Sequence, residues 1–387
     1  MTNDSTFSKT ERRALAYLNR VVEGPHRHLS ALVHRVGIED AAELIKRRIN
    51  LTPELRSATE SRHHFRQEDN DLDDAARHGF RIIAPGSPEW MPSLTNPFSV
   101  VDSCSLTEGP PVTLWVKGCS LDSLFVDSTA VVGTRAATRY GLTMTTKLAG
   151  ELARRGTTIV SGGALGIDAA AHRAALDVGG RTVVFAACGA GVSYPAAHTE
   201  LFQRIAGSGA IVSEYPPGMR PARHRFLTRN RLVAATSEAT VLVEAGWRSG
   251  ARNTATWALR MAKPLGAVPG PITSAASTGC HDLIRNQEAT LVTSAENILA
   301  LYRPVGSVDE DGLLELEWAS TAVQKLSQPE LKVYDSLPAR GGADAHDVAT
   351  AAGLPLGLAV HLLVALMKQG LVVRHGSRWE RASMNSS

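Results

Sequence analysis

The chain predicts a doubly wound parallel α/β sheet, flanked by a small helical domain before it and a winged-helix domain after it. Three observations carry this. From Ser128 onward, short apolar runs rich in β-branched residues recur: 129–133, 157–163, 182–187, 210–214, 239–245 and 265–270. Segments of helical length and spacing separate them. Continuous apolar runs of this kind mark strands buried on both faces, which is the signature of a parallel sheet covered by helices. Glycine-rich turns follow several of the runs, where a strand must hand over to a helix.

At 387 residues the chain exceeds one ordinary core. Residues 1–80 form the first expected domain: Ala14, Leu18, Val21 and Val22, then Leu29, Leu32 and Val33, recur at helical spacing. The charged stretch 61–74 reads as an exposed helix or linker. Residues 81–302 hold the α/β domain, led by a proline-bearing connecting segment (80–128) with short strands at 80–84 and 112–118. Residues 303–328 are acidic, lack a sustained period and are expected to link. Residues 329–387 read as helix, helix, Gly-Leu-Pro turn, long helix and hairpin, a winged helix. The long helix carries few basic or amide side chains, which disfavours a regulator reading duplex DNA.

With 43% hydrophobic and 20% charged residues the composition is that of a soluble globular protein. No apolar run approaches the roughly 18 residues of a membrane span, and the first thirty residues hold no signal-peptide core. The four cysteines (Cys104, Cys119, Cys188, Cys280) are dispersed without metal-ligand spacing, so a reduced, cytoplasmic protein without disulfide, metal or cofactor is expected. The net charge of +3 is unevenly placed: residues 131–300 carry 18 basic against 10 acidic residues, while the remainder has an acidic excess of five. That favours a polyanionic partner for the central domain.

Five arginines, Arg220, Arg223, Arg225, Arg229 and Arg231, surround Phe226 within a stretch that contains no acid. Guanidinium forks for phosphates and a ring for a base are what a single-stranded nucleic acid requires. On composition alone the run fits equally well a solvated loop whose arginines cap helices or pair with scattered acids. Ligands of open α/β sheets bind at the carboxyl ends of the strands. Two loops there suit an anion. Gly133-Thr134-Arg135 offers a close backbone approach, a hydroxyl and a guanidinium near a helix start. Ser161 to Asp168, with Gly162 and Gly163, offers backbone N–H groups ahead of another helix. Asp168 reads as a helix cap or a partner for an arginine. The turns at 188–195 and 244–254 match neither a phosphate loop nor a dinucleotide fingerprint, and no nucleophile elbow or zinc-protease pair is present. His172, His198 and His224 lie on separate elements. The pattern points to binding rather than to an enzyme.

At these loops the chain resembles the DNA-processing protein A (DprA/Smf) family. The matching segments are VVGTR (131–135), YG (140–141), SGGALGIDAAAH (161–172), CGAGVSYPAAH (188–198), SEYPPG (213–218), HRFLTRNRLVA (224–234), VEAGWRSGA (243–251), AVPG (267–270) and STGCHDLIRNQEA (277–289). They cover about 170 residues in the family's order. The resemblance implies a Rossmann-like domain that binds single-stranded DNA without strong sequence preference, protects it and dimerises. It also implies loading of the RecA recombinase during natural transformation, with a helical (SAM-like) start and a winged-helix end. The family's DNA-contacting loop falls on Gly133, Thr134 and Arg135. Its basic residue and phenylalanine fall on Arg223 and Phe226, followed by Arg229, Asn230 and Arg231. Leu227 stands where the family usually has proline, and groove lysines appear as arginines. The rival on this scaffold is a nucleotide phosphoribohydrolase, whose double glycine and downstream glutamate are missing from 244–254.

Overall fold

The computed structural model describes residues 6–101, 108–247, 249–304, 323, 326–338 and 341–382. Two compact units divide the chain at Val308 and Asp309. Most of the expected linker, 303–328, and Cys104 lie outside the described residues.

The first unit begins with five helices: α1 (Lys9–Val21), α2 (Arg27–Val36), α3 (Ile38–Arg47), α4 (Pro53–Thr59) and α5 (Glu68–Arg77). Ser8 starts α1 through a capping box. Its hydroxyl takes the Glu11 amide at 3.0 Å, and the Glu11 carboxylate takes the Ser8 amide at 2.7 Å. Helix α1 is buried on two sides. Ala14, Tyr17, Leu18 and Val21 pack against α2 to α4, while Leu15 and Ala16 pack on Ala75 of α5 and on Trp115. The charged stretch 61–74 is less exposed than its composition suggests, because Asp71 in α5 is buried beside Arg20.

Strands β1 (Arg81–Ile83) and β2 (Leu114–Gly118) follow. Then come β3 (Ser128–Val132), α6 (Arg139–Arg154), β4 (Thr158–Ser161), α7 (Ile167–Asp177), β5 (Thr182–Ala186), α8 (Thr199–Ser208) and β6 (Ala210–Ser213). The unit continues with α9 (Arg223–Ala235), β7 (Ala239–Leu242), α10 (Ala251–Arg260), β8 (Leu265–Ala267), α11 (Thr278–Arg285), β9 (Thr290–Leu291) and α12 (Ala295–Leu299). All six apolar runs are strands. They lie in one sheet of order β1-β2-β6-β5-β4-β3-β7-β8-β9, parallel from β6 through β9. The connecting segment does more than connect: β1 pairs with β2, and β2 with β6, both antiparallel, so the segment extends the sheet edge. Alternate strand residues pack on opposite faces, Ala130, Val132, Phe185 and Leu242 towards α9 to α11, and Val131, Ile159 and Val241 towards α6, α7 and α12.

The strand order reverses at β3, which lies between β4 and β7. That reversal opens a crevice beyond its carboxyl end. Helix α9 crosses from β6 back to β7 and borders the crevice, so the arginine run from Arg223 onward is a helix rather than a loop.

The second unit packs α13 (Gln328–Asp335), α14 (Ala345–Ala352) and α15 (Leu356–Lys368) around Val333, Val348, Leu363, Leu366 and Trp379. A three-stranded antiparallel sheet, β10 (Ala343–Asp344), β12 (Arg378–Arg381) and β11 (Val372–His375) in that order, completes it. Among the described residues no single helix is long and apolar enough to cross a membrane.

Helix α1 is fastened to the sheet by polar contacts. Asn19 donates to the Glu214 carbonyl at 2.8 Å and accepts from the Trp115 indole at 2.9 Å. Glu23 takes Arg225 Nε at 2.5 Å and is approached by Arg62 and His224. Burial works against the Glu23 charge, yet hydrogen bonds from Arg225 and His224 and the nearby guanidiniums outweigh it, bringing its carboxyl from 4.5 down to about 2. A depressed carboxylate contributes its stability above the unfolded value and loses it as pH falls through the folded one. The expected outcome for Glu23→Gln is a protein about 1–3 kcal/mol less stable at pH 7. That difference shrinks between pH 4.5 and 2; urea titrations across the range check it, and a pH-independent difference would refute the ion-pair account.

Candidate nucleic-acid interface

The crevice at the sheet's reversal point is an open cleft of about 840 Å³. Its walls come from the turn after β3 (Gly133 to Ala136), the turn after β4 (Gly162, Ala164), α9, and the turn after β7 (Gly246, Ser249, Gly250). Seen down α9, residues 223, 226, 227, 230 and 233 share the cleft face, as three- and four-residue spacing requires.

Gly133 has no room for a side chain: a Cβ would lie 2.5 Å from Ile167 Cγ1 and 2.9 Å from the Glu244 carbonyl. The Thr134 amide donates to that carbonyl at 2.7 Å, seating this turn against the one after β7. Thr134 is half-buried and Arg135 is exposed. The Arg135 guanidinium lies over the Phe226 ring, 4.8 Å from its centroid, and Tyr194 meets the same ring at 5.6 Å and 58°. Arg223, the first residue of α9, is exposed.

The helix starts expected to receive an anion are filled from within. At α6 the Glu244 carboxylate accepts the Thr138 amide at 2.9 Å and its hydroxyl at 2.6 Å. At α7 the Ile167 amide donates to the Thr134 carbonyl, and Asp168, buried, accepts the Ala164 amide of the preceding loop. Burial pushes the Asp168 carboxyl above its ordinary value, against the pull of the Arg229 charge and of the Ala164, Gly162 and Gly133 backbones. Gly162 and Gly163 are therefore glycines for packing reasons rather than as open phosphate cradles. A Cβ at Gly162 would run into the Arg229 guanidinium, and one at Gly163, where φ is +71°, into Val184 and Phe202.

The two remaining arginines of the Arg-Asn-Arg triplet point inward. Arg229 is buried and donates to the carbonyls of Gly162 and Phe185. Burial lowers its pKa, partly offset by Asp168. Arg231 has no exposed surface: it holds Glu214 in a bidentate pair (2.6 and 2.8 Å) and donates to the Gly109 carbonyl at 3.0 Å. Asn230, nearly buried on the cleft wall, donates to the Gly250 carbonyl at 3.4 Å and to Asn253 at 3.3 Å. The family resemblance sets Arg231 beside the DNA contacts, whereas the helical phase of α9 buries it against Glu214. Arg225 is held half-buried by Glu23 and the Tyr215 ring. Tyr194, 44% exposed, was overlooked although it lay in a singled-out turn; an aromatic among glycines was the signal.

Neither Cys188 nor Cys280 is an activated thiol. Burial pushes the Cys188 thiol up to about 11 and that of Cys280 up to about 12. His172 is buried against the Thr182 hydroxyl at 2.7 Å, and burial first, then neighbouring positive groups, bring it down to about 3. Among the described residues no cluster could hold a metal ion.

The profile of a family described as DNA recombination-mediator protein A matches residues 88–303. A Mycobacterium tuberculosis protein named putative DNA processing protein DprA is 45% identical over 95% of this chain and 93% of its own length. The DNA processing protein DprA of Streptococcus pneumoniae is 39% identical over 53% of this chain and 73% of its own. The X-ray structure of the S. pneumoniae protein superposes with a TM-score of 0.59 at 29% identity, covering 79% of this chain and 99% of the other. A Helicobacter pylori DNA processing protein A, whose structure is titled for its single-stranded DNA binding mode, superposes at 0.50 and 30% identity, covering 58% of this chain and 99% of the other.

Removing Arg231 strands a buried carboxylate, so Arg231→Met is expected to cost about 3–5 kcal/mol in a denaturant titration. The double change Arg231→Met with Glu214→Leu should recover much of that. No recovery would mean that the pair is not the source of the loss. Gly162→Ala forces Arg229 out of its carbonyl cradle and is expected to destabilise by about 1–3 kcal/mol, the range for overpacking a filled site. Thermal and chemical unfolding check it.

Proposed function

Because the chain belongs to the DNA-processing protein A family, we propose that it binds single-stranded DNA in the cleft beyond β3, without strong sequence preference. The observation that carries this reading is the exposed pair Arg135 and Arg223 flanking the Phe226 ring in one open cleft. Phosphates meet guanidiniums and a base meets a ring, which is how single strands are held regardless of sequence. Of the family-matched residues, Thr134, Arg135, Arg223 and Phe226 contact the strand. Gly133, Gly162, Gly163, Arg229, Asn230 and Arg231 shape the wall.

In the free protein Arg135 covers the Phe226 face. An incoming phosphate draws the guanidinium off the ring, since a charge-assisted bond to an anion exceeds a half-exposed cation–π contact. The uncovered face then takes a base. Held in this way, the strand is protected and passed to the RecA recombinase during transformation and recombination, in the cytoplasm, by a homodimer. No cofactor takes part.

Binding assays at several salt concentrations test the reading. Oligo-dT should bind with strong salt dependence, and duplex of the same length much more weakly. Arg135→Ala and Arg223→Ala should each flatten the logarithmic salt slope by about 0.7, the single-strand value per lost phosphate contact. Phe226→Ala should weaken binding by about 1–3 kcal/mol with little change of slope. Equal affinity for duplex and single strand would defeat the proposal. RecA-dependent strand exchange with and without the protein, and sedimentation of the protein alone, check the two partners.

A further inference from the structure

Beside α9 the cleft is bordered by the turn after β7, and this turn carries an exposed tryptophan. Trp247 keeps 63% of its surface in water, although Trp115, Trp257 and Trp379 are all buried. Its indole is nevertheless not loose. The Arg252 guanidinium lies 5.0 Å from the ring centroid, and Arg252 is fixed by Asp282 at 2.9 Å, a carboxylate only 5% exposed. The turn itself is anchored at both ends. The Glu244 carbonyl accepts the Thr134 amide, and the Gly250 carbonyl accepts Asn230 of α9. Gly246, Ser249 and Gly250 line the cleft beside Thr134 and Arg135, which places Trp247 at its rim.

Leaving an indole in water forgoes the largest apolar gain any side chain offers. Trp257 has the same kind of arginine neighbour, Arg260 at 4.4 Å, and is packed into the core. At Trp247 an arginine backs a ring that is left open. The arrangement repeats at the turn after β7 the pairing of guanidinium and ring that Arg135 and Phe226 make.

We propose that Trp247, braced by Arg252, is a second base-stacking platform, so that one strand is held by an aromatic ring at the cleft rim as well as by Phe226 within it. The inference rests on the single-strand reading above and adds a contact to it. Stacking on an indole is open to every base because each presents a π face, so this platform tightens binding without adding sequence preference.

The test compares wild type, Trp247→Ala and Trp247→Phe on oligo-dT and on an abasic oligomer of equal length. Trp247→Ala should bind oligo-dT roughly five- to a hundredfold more weakly, the span expected for one stacked base. Its salt slope and its affinity for the abasic strand should match wild type, and Trp247→Phe should recover most of the loss. Being exposed, the residue can be replaced with little effect on unfolding, which a thermal melt verifies. Undiminished affinity of Trp247→Ala for oligo-dT overturns the platform. An equal loss on the abasic strand also overturns it, since the effect would not then require a base. If wild type binds neither oligomer, the functional reading itself falls; if only Phe226→Ala weakens binding, the reading stands and this inference fails.

Discussion

The buried pair of Arg231 and Glu214 is the constraint on which the cleft depends. A charge without exposed surface is tolerable only when it is matched and hydrogen-bonded, and here both carboxylate oxygens and all three guanidinium nitrogens are used. Glu214 follows the end of β6, and Arg231 lies in the third turn of α9. Their contact therefore sets the rotation of α9 over the sheet. With Arg231 turned inward, helical geometry puts Arg223, Phe226, Leu227 and Asn230 on the cleft side. The pair also reaches the helical start of the chain, because the Glu214 backbone accepts Asn19 of α1. The N-terminal helices thus brace the segment from which the cleft wall rises.

A second constraint explains why guanidiniums carry the affinity proposed here. Helix N-termini at the ends of parallel strands ordinarily attract anions. In this protein the Glu244 carboxylate occupies the start of α6, while at α7 the Ile167 amide donates to the Thr134 carbonyl and Asp168 takes an amide of the preceding loop. Both carboxylates are almost wholly buried, so they fix the turns after β3, β4 and β7 in place without facing a ligand. What remains open to a polyanion is the set of flexible, exposed arginines at the rim. Point charges and rings recognise a backbone and a stacked base. The amide of Asn230, which could have met a base edge, is already engaged with Gly250 and Asn253. The expected absence of sequence preference follows from this division of labour.

The amino-acid sequence by itself determined the six core strands and the places where they turn into helices. Residues buried on both faces of a parallel sheet must be apolar whatever surrounds them, and glycine must stand where backbones approach closely. Ordered motifs over about 170 residues were likewise enough to identify the family. Composition also located the basic region in the middle third of the chain. Short strands at 80–84 and 112–118 were legible too, but not their place at the sheet edge, because β1 is held there by pairing with β2 and β2 by pairing with β6.

Only the tertiary structure decided which charges stay exposed at the cleft. Five arginines within twelve residues are chemically alike in a sequence, and whether each is solvent, core or surface depends on the partner that a distant segment brings to it. Glu214 takes Arg231, Glu23 just past α1 takes Arg225, and the carbonyls of Gly162 and Phe185 take Arg229. Arg223 and Arg135 are left at the opening. The same holds for the glycine turns, whose amides look free until buried carboxylates are seen beside them. Strand formation is a local property of side chains, whereas the environment of a charge is set by the whole fold.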